Sequence, residues 1–533
     1  MAQFDDLLLE VGEIGWYQIA LTLIIGIGWE LSAAWTMMIM IFIGTDPGWI
    51  CADNTTIGND SSTIATPSLH YTDSPLSNLS APTVKKPDAC DVCSSYEFSK
   101  EFTSIVTEWE LVCEHGFISD TITSVQMAGV FVGSLLFGQL SDLFGRKKPH
   151  FLAIVGGSII GVAQAFATSW VVFAVCRFCS GVFTAGTIVV GGLYGIEYLG
   201  PKYRHIPMTF GLWTSFSLLL LAFAYFIRNW RHLLLVASAP GLAVVASWWF
   251  LPESPRWLLS QGRYKEVTSI VKRIAKSNKK PEPDMGKFIK EYESQTPNAE
   301  HGVKYGYWDL FRTPTLAKQT LIFCFSWFCM SLISYGAVFN VKNLPGNKFV
   351  NMAVNFAIGY FLPIALLGLP RWFGRKTITI ASFLIAAVSF IPILVIYIIG
   401  KSEELWVLII VLTTIGTTAV GMAWQVFVLL KLETYPTAIR NIGIGFSSMF
   451  ARIGGILAPQ MAYFSTFWKP IPFVISGILA VACAVVTYLL KETKNKVLID
   501  TVPDREWCLC CSRNNMDDTR NDANELVSKV SSV

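Results

Sequence analysis

Residues 138–147 read Gly-Gln-Leu-Ser-Asp-Leu-Phe-Gly-Arg-Lys and lie between two apolar runs, 121–137 and 151–168. Each run is close to the roughly 20 residues with which an α-helix crosses about 30 Å of hydrocarbon. The second glycine permits a sharp reversal, and the aspartate can pair with the basic residues that follow it. Because basic residues collect on the cytoplasmic side of a membrane, the stretch predicts a tight cytoplasmic loop between two spanning helices.

The composition also indicates a membrane protein. Of the 533 residues, 53% are hydrophobic and only 15% are charged, and the mean hydropathy is +0.48. A soluble domain usually has about a quarter of its residues charged. The net charge of +3 is small and its basic residues lie in loops, so we expect no nucleic-acid partner. The first 15 residues contain no Lys or Arg, so they do not form a secretory signal and we expect the first apolar helix to be retained.

The apolar runs predict an all-α membrane protein with twelve transmembrane helices in two six-helix halves. Helix 5 is expected at 207–227 and helix 10 at 405–430. Loop charge and composition give the order of segments along the chain: a cytoplasmic N-terminus (1–15), an N-terminal half (16–251) with a long extracellular loop (44–118), a cytoplasmic linker (252–314), a C-terminal half (315–490) and a cytoplasmic tail (491–533).

An internal repeat supports the two halves. Three features recur at offsets of 229, 236 and 239 residues: Phe-Gly-Arg-Lys at 144–147 and 373–376, Glu197 with Arg204 and Glu433 with Arg440, and Glu253 and Glu492. Such a repeat predicts halves related by an axis along the membrane normal, with the substrate site between them near the midplane. The second copy has Arg371 where the first has Asp142, so the two copies need not be electrostatically equivalent.

The long loop has the features of a secreted domain. It contains three glycosylation sequons, at Asn54, Asn59 and Asn78, and four of the twelve cysteines, Cys51, Cys90, Cys93 and Cys113. Four cysteines in an oxidising compartment allow three pairings, and we expect two disulfides. The loop therefore predicts a glycosylated, disulfide-stabilised cap outside the cell.

The stretch 138–147 resembles the loop between helices 2 and 3 of major facilitator superfamily transporters, which gates the swing between outward-open and inward-open states. Runs at 102–114, 223–231, 252–263 and 433–440 resemble the organic cation, organic anion and carnitine transporter family, and most of all its carnitine and ergothioneine branch. The expected gating residues are Asp142, Gly145, Arg146, Glu197, Arg204, Glu433 and Arg440. We expect the six charged ones to form pairs between helices at the cytoplasmic end that hold the outward-open state.

Two features depart from that branch. Carnitine-type members usually have an acidic residue two positions before the helix 8 proline, where this chain has Phe361 before Pro363. Some also carry a nucleotide-loop-like motif after helix 4, but Pro201 displaces its lysine here, so we expect no nucleotide site.

Charged residues within spanning helices are costly and mark functional candidates. Arg452 lies about 14 residues, or roughly 21 Å, into helix 11, near the midplane. Anion and carnitine carriers resemble this chain in having arginine there, and its planar fork suits a carboxylate. A structural pair with a neighbouring helix is the alternative role. Glu30 in helix 1 could meet a cationic substrate group, accept a coupling proton or neutralise an arginine.

Aromatic residues are candidates for the cavity wall, because ring faces attract quaternary ammonium groups. Trp327 and Tyr335 in helix 7, and Trp424 with Gln425 in helix 10, lie at suitable depths. In a chain with 18 Trp and 36 Phe, any single ring is more often a core or lipid-facing residue. Arg177 resembles the helix 4 arginine of proton-coupled facilitators, which leaves Na⁺ and H⁺ open as coupling ions.

These features predict a secondary transporter that moves small organic ions across the plasma membrane by alternating access. Carnitine-type zwitterions or organic cations are the favoured substrates, and organic anions are the alternative. No metal-ligand spacing, nucleophile elbow or phosphate loop is present in the sequence, so we expect neither an enzyme nor a cofactor. The expected partners are the substrate, the lipid bilayer and a PDZ domain for the C-terminal residues 531–533.

Overall fold

The computed structural model describes residues 4–51, 70–71, 95–204, 207, 212–295, 306–345, 347–365, 372–436 and 439–494. In these ranges twelve long helices form a bundle, as the apolar runs predict: α1 (Trp16–Met38), α2 (Ile118–Phe144), α3 (Lys147–Gln164), α4 (Trp170–Ile196), α5 (Trp213–Phe226), α6 (Trp230–Val244), α7 (Pro314–Asn340), α8 (Lys348–Ala365), α9 (Arg375–Ile398), α10 (Trp406–Thr434), α11 (Arg440–Phe464) and α12 (Ile471–Tyr488). Nine of the described helices are long and apolar enough to cross a membrane, and α5 is a shorter apolar helix.

The bounds of helices 5 and 10 differ from the sequence prediction. Helix α5 is described from Trp213, whereas the prediction began at 207, and residues 208–211 lie outside the described ranges. Helix α10 continues to Thr434, past the predicted end at 430, because Lys431 and its neighbours are adequate helix formers. Pro436, which disfavours helical backbone at the residue before it, follows directly.

Side-chain caps set the starts of several helices. Ser169 accepts a hydrogen bond from the backbone N–H of the third residue of α4, Asn229 accepts two at the start of α6, and Thr313 accepts one at the start of α7. These oxygens satisfy N–H groups that have no partner within the helix. Pro314 occupies the first position of α7, where its missing N–H costs nothing.

Small residues let α2 and α4 pack closely. Gly129 and Gly133 are one turn apart on α2, and a Cβ atom at either would overlap the backbone of α4 at Phe178 or Val182. Gly181 of α4 faces α2 in the same way. Close backbone contact of this kind is a common way for helices to associate in lipid, where apolar side chains gain little by leaving the solvent.

The bundle has two distinguishable ends. The loop end carries the segment between α1 and α2, and the linker end carries the segment between α6 and α7. At the loop end, three short strands form an antiparallel sheet in the order β2-β1-β3: β1 (Trp49–Cys51), β2 (His70–Tyr71) and β3 (Tyr96–Phe98). The sequence prediction did not include this sheet, whose strands are rich in the aromatic residues that favour β structure.

The linker end is more ordered than a polar linker suggests. Three helices follow α6, at Pro255–Ser260, Tyr264–Ser277 and Met285–Gln295. An N-terminal helix, Phe4–Val11, packs against them through its apolar face, where Leu8 and Val11 are fully buried. The acidic N-terminus is therefore part of the N-terminal half.

The packing of the N-terminal helix can be tested with neighbouring residues. Replacing the buried Leu8 by Asp places a charge in an apolar contact and should lower the melting temperature of the purified protein by several degrees. Leu9 is 57% exposed, so Leu9→Asp is the matched control and should leave the melting temperature unchanged. Equal effects of the two substitutions would contradict the packing described here.

Candidate functional site: gates and interior charges

The turn between α2 and α3 is held by a carboxylate. Gly145 has φ +90°, and a Cβ atom there would overlap the Glu253 carboxylate. Oε1 of Glu253 accepts hydrogen bonds from the backbone N–H groups of Arg146 (2.8 Å), Lys147 (3.0 Å) and Ser254 (2.9 Å). The carboxylate accepts hydrogen bonds from N–H groups that have no partner within the helix. Its negative charge also interacts favourably with the dipole at the start of α3.

The Arg146 side chain joins the same cluster. Its Nε lies 3.3 Å from Oε1 of Glu197 at the end of α4, and its Nη1 lies 2.6 Å from Oδ1 of Asp142. Glu197 is largely shielded from solvent, whereas the Asp142 side chain is 75% exposed. Exposed ion pairs contribute little to stability, so the contact with Glu197 is the stronger connection between the helices.

The C-terminal half contains the corresponding cluster. Arg375 lies 3.1 Å from Glu433, and Glu492 accepts hydrogen bonds from the backbone N–H groups of Lys376 (3.1 Å) and Lys494 (3.2 Å). A Cβ atom at Gly374 would overlap the Glu492 carboxylate, as at Gly145. The residues that repeat in the sequence therefore make corresponding contacts in the two halves. The counterpart of Asp142, Arg371, lies outside the described ranges.

Backbone N–H groups also determine the pKa of the Glu492 carboxyl, which caps the start of α9. Burial raises the pKa of the Glu492 carboxyl, but backbone N–H groups, among them those of Lys494 and Lys376, lower it by more. The net shift of the pKa is downward. The cap therefore stabilises the folded protein at neutral pH, and this contribution is lost as the pH falls through the lowered pKa.

Glu197 and Arg204, which recur together in the sequence repeat, do not pair with each other. Arg204 lies beyond the end of α4, where its Nε donates to the carbonyl of Leu199 (3.1 Å), and its guanidinium pairs with Asp5 of the N-terminal helix. Arg440 likewise donates to the carbonyl of Tyr435 (3.4 Å) in the other half. Both arginines satisfy carbonyls at helix C-termini, where basic side chains are favoured.

Contacts between the two halves are found at the loop end. Nζ of Lys342, after α7, lies 2.7 Å from Oδ1 of Asp120 in α2, and these side chains are only 13% and 10% exposed. Nε2 of Gln460 in α11 donates to Oγ of Ser124 in α2 (3.1 Å). By contrast, the ion pairs of the linker-end clusters join residues of the same half.

Arg452 is a half-buried guanidinium on α11. It makes no hydrogen bond or ion pair in the described part of the chain, and it interacts electrostatically with the phenol of Tyr335 on α7. The alternative role of a structural pair is therefore not what these contacts indicate. Buried donors of α7 without a hydrogen-bond partner among the described residues include the indole Nε1 of Trp327 and Oγ of Ser331. Gly455 of α11 lies against Ser331 and Tyr335, so these groups share one region of the interior.

Glu30 is 5% exposed and faces the start of α5, where the backbone N–H groups of Trp213 and Leu212 donate to its carboxylate. Its Oε2 has no partner among the described residues. It does not pair with Arg177, whose Nη1 donates to the carbonyl of Thr36 (3.2 Å). The carboxylate thus caps a helix and keeps one oxygen available.

The two candidates on α10 point in different directions. Trp424 stacks on Trp327, with ring centroids 5.8 Å apart, whereas Gln425 lies on the exposed face of α10 with Leu429 and Leu432. Adjacent helical residues point about 100° apart, so the structure does not group Gln425 with the other candidates.

Sequence reasoning missed Lys431. It is fully buried in the last turn of α10, and its Nζ lies 2.7 Å from the centroid of the Trp327 ring. A helix 10 that ends at 430 excludes this residue from the search for charges within the membrane, and only the packing of α10 against α7 reveals it.

Several predicted sites lie where the structure says little. Cys113 is disulfide-bonded, and the side chains of Cys51, Cys90 and Cys93 are outside the described ranges. The same is true of Asn54, Asn59 and Asn78 and of the tail from 495 onwards. These remain predictions.

Comparison with known proteins identifies the family. The sequence profile described as "Sugar (and other) transporter" matches residues 92–502. The chain belongs to this family. A relative named organic cation transporter protein, from Drosophila melanogaster, is 33% identical over 94% of both chains. The human organic cation/carnitine transporter 2 is 33% identical over 76% of this transporter and 73% of its own length. The resemblance to organic cation and carnitine transporters is confirmed, and these relatives are transporters rather than enzymes.

The fold is also that of known transporters. The xylose transporter XylE from E. coli, in a partially occluded inward-open conformation, superposes on this transporter with a TM-score of 0.63. The match covers 90% of this chain and all of XylE at 16% sequence identity. The likeness confirms the major facilitator fold, and the transporter is a multi-pass membrane protein.

The carboxylate caps are open to a direct test. Glu253→Ala removes the acceptor of three N–H groups and should destabilise the protein by about 1–2 kcal/mol, seen as a lower melting temperature. Glu253→Gln keeps an acceptor oxygen and should destabilise the protein less than Glu253→Ala does. Glu492→Ala should reproduce the effect in the other half. A melting temperature that Glu253→Ala leaves at the parent value would count against the cap.

Proposed function

We propose that this transporter moves small organic ions that carry a carboxylate, and that carnitine-type zwitterions fit it best. The observation that supports this proposal is the half-buried guanidinium of Arg452, which has no hydrogen-bond or ion-pair partner among the described residues. A guanidinium in a low-dielectric interior binds a carboxylate strongly, because it offers two parallel charge-assisted hydrogen bonds. The names of the relatives, which include organic cation/carnitine transporters, agree with this substrate class.

Two side chains of α7 favour the same pole of the substrate. The indole N–H of Trp327 and the hydroxyl of Ser331 are buried donors without acceptors among the described residues, and a substrate carboxylate would supply the missing acceptor. In the N-terminal half, the free Oε2 of Glu30 could receive the ammonium pole of a zwitterion. Organic anions, which need only the arginine side, are the second candidate.

The contacts within and between the two halves support alternating access as the transport mechanism. Each half carries its own ion-paired cluster at the linker end, so each can move as a unit, and the contacts Asp120–Lys342 and Ser124–Gln460 join the halves at the loop end. We propose that this arrangement is the inward-open state, with the loop end outside the plasma membrane and both termini in the cytoplasm. The linker-end pairs form within each half, so they do not by themselves favour the outward-open state. The coupling ion, Na⁺ or H⁺, is left open.

Substitution of Arg452 tests the substrate assignment. Arg452→Ala should reduce uptake of carnitine and of a simple aromatic carboxylate by about ten-fold or more, because the charge-assisted bonds are lost. Uptake of tetraethylammonium, which has no carboxylate, should persist. Arg452→Lys keeps the charge but not the fork and should be intermediate. If Arg452→Ala takes up carnitine as the parent does, at equal surface expression, the assignment is wrong.

The loop-end ion pair offers a test of alternating access. Breaking a buried pair leaves one charge uncompensated, so Asp120→Asn and Lys342→Gln should each favour opening of the loop end. The measurement is labelling of Ser124→Cys by a membrane-impermeant maleimide, corrected for labelling of native cysteines, with an expected increase of about five-fold.

The exchanged pair Asp120→Lys with Lys342→Asp is the control. Because it restores opposite charges across the contact, it should bring the labelling rate back toward that of the parent. Equal labelling in all four proteins would show that the pair does not hold this end closed.

A further inference from the structure

Lys431 has an unusual environment for a lysine. It is 0% exposed, and its Nζ lies over the face of Trp327, 2.7 Å from the ring centroid. Its hydrogen-bond partner is Oγ of Ser447 on α11, at 3.3 Å. The amino group is therefore placed among α7, α10 and α11, with the face of Trp327, the hydroxyl of Ser447 and the thiol of Cys324 as its neighbours.

No carboxylate offsets this charge. On the six helices of the C-terminal half, within their described bounds, Glu433 is the one acidic residue, and it pairs with Arg375 at the linker end. Lys431 and Arg452 are consequently two basic side chains in the interior of this half without an acidic partner on its described helices. In hydrocarbon such an excess of one sign repels cations and attracts anions over a long distance.

The lysine also occupies a surface that a cationic substrate would need. A quaternary ammonium group binds an aromatic side chain through the ring face. One face of Trp327 is covered by Lys431, and the same ring stacks on Trp424. Its indole N–H has no partner and is a donor. Trp327 therefore presents to the interior a group that binds acceptors rather than a face that binds cations.

We propose that Lys431 is protonated and is a specificity-determining residue, a tethered cation that occupies the Trp327 face and thereby disfavours simple organic cations relative to substrates with a carboxylate. This inference rests on the proposed function, since it assumes that substrates bind in the interior near Arg452. It adds a reason why carboxylate-bearing substrates are preferred. A zwitterion can place its carboxylate against the C-terminal half and its ammonium group away from it, whereas a simple cation has no negative group to place there.

The substitution that tests the proposal should be tolerated. Lys431→Met keeps an unbranched side chain of similar length, so the packing of the three helices changes little. It removes a buried charge that lacks an acidic partner, and such replacements are commonly neutral or stabilising. Lys431→Arg keeps the charge. Lys401→Met is the matched control, because Lys401 is 57% exposed in the turn before the same helix.

Uptake of carnitine, a simple aromatic carboxylate and tetraethylammonium is measured in the parent and these three variants, normalised to surface expression. Lys431→Met should raise the ratio of tetraethylammonium to carboxylate uptake by about five-fold or more. Lys431→Arg and Lys401→Met should keep the parent ratio. With purified protein, tetraethylammonium should raise the melting temperature of Lys431→Met by more than that of the parent.

The outcomes separate the two proposals. If the parent takes up the carboxylates and loses that uptake in Arg452→Ala, but Lys431→Met has the parent ratio, the role of Lys431 is wrong and the proposed function stands. A Lys431→Arg variant that shifts the ratio as much as Lys431→Met shows a packing effect and also overturns the role. A parent that prefers tetraethylammonium to both carboxylates overturns both proposals.

Discussion

Each half of this transporter depends on a carboxylate placed at the N-terminus of a helix. Glu253 caps the start of α3 and Glu492 caps the start of α9. Next to each cap an arginine forms an ion pair with a glutamate at the end of another helix, Arg146 with Glu197 at the end of α4 and Arg375 with Glu433 at the end of α10. A carboxylate that accepts several backbone N–H groups is well satisfied and favourably placed in the helix dipole. Because these contacts stay inside one half, they make it a unit and leave movement to the surface between halves.

The two halves treat interior charge differently. The N-terminal half has one acid and one base, Glu30 and Arg177, each held by backbone groups rather than by the other. The C-terminal half has Lys431 and Arg452, one fully buried and one half-buried. The interior is therefore polarised between the halves, and an electrically matched substrate would lie with its negative end toward α7, α10 and α11.

The fold and the linker-end clusters could be predicted because hydropathy, the loop at 138–147 and the repeat are local in sequence. The interior could be predicted only in part. Arg452 stands out as a charge in an apolar run, but the burial of Lys431 arises from the packing of three helices. The pair of Asp120 with Lys342, and that of Arg204 with Asp5, joins residues about 200 positions apart for which no spacing rule exists. The exposed position of Gln425 could not be predicted, because depth along a helix does not give direction around it.

The N-terminal helix has a practical consequence for handling this protein. Asp5 pairs with both Arg204 and Arg256, and Leu8 and Val11 fill the contact with the linker helices. A fluorescent protein or affinity tag joined before Met1 would begin within a few residues of this cluster and would have to leave the bundle beside the end of α4. A fusion at that terminus can therefore disturb the packing of the N-terminal helix, and transport measured with it needs comparison with the untagged chain.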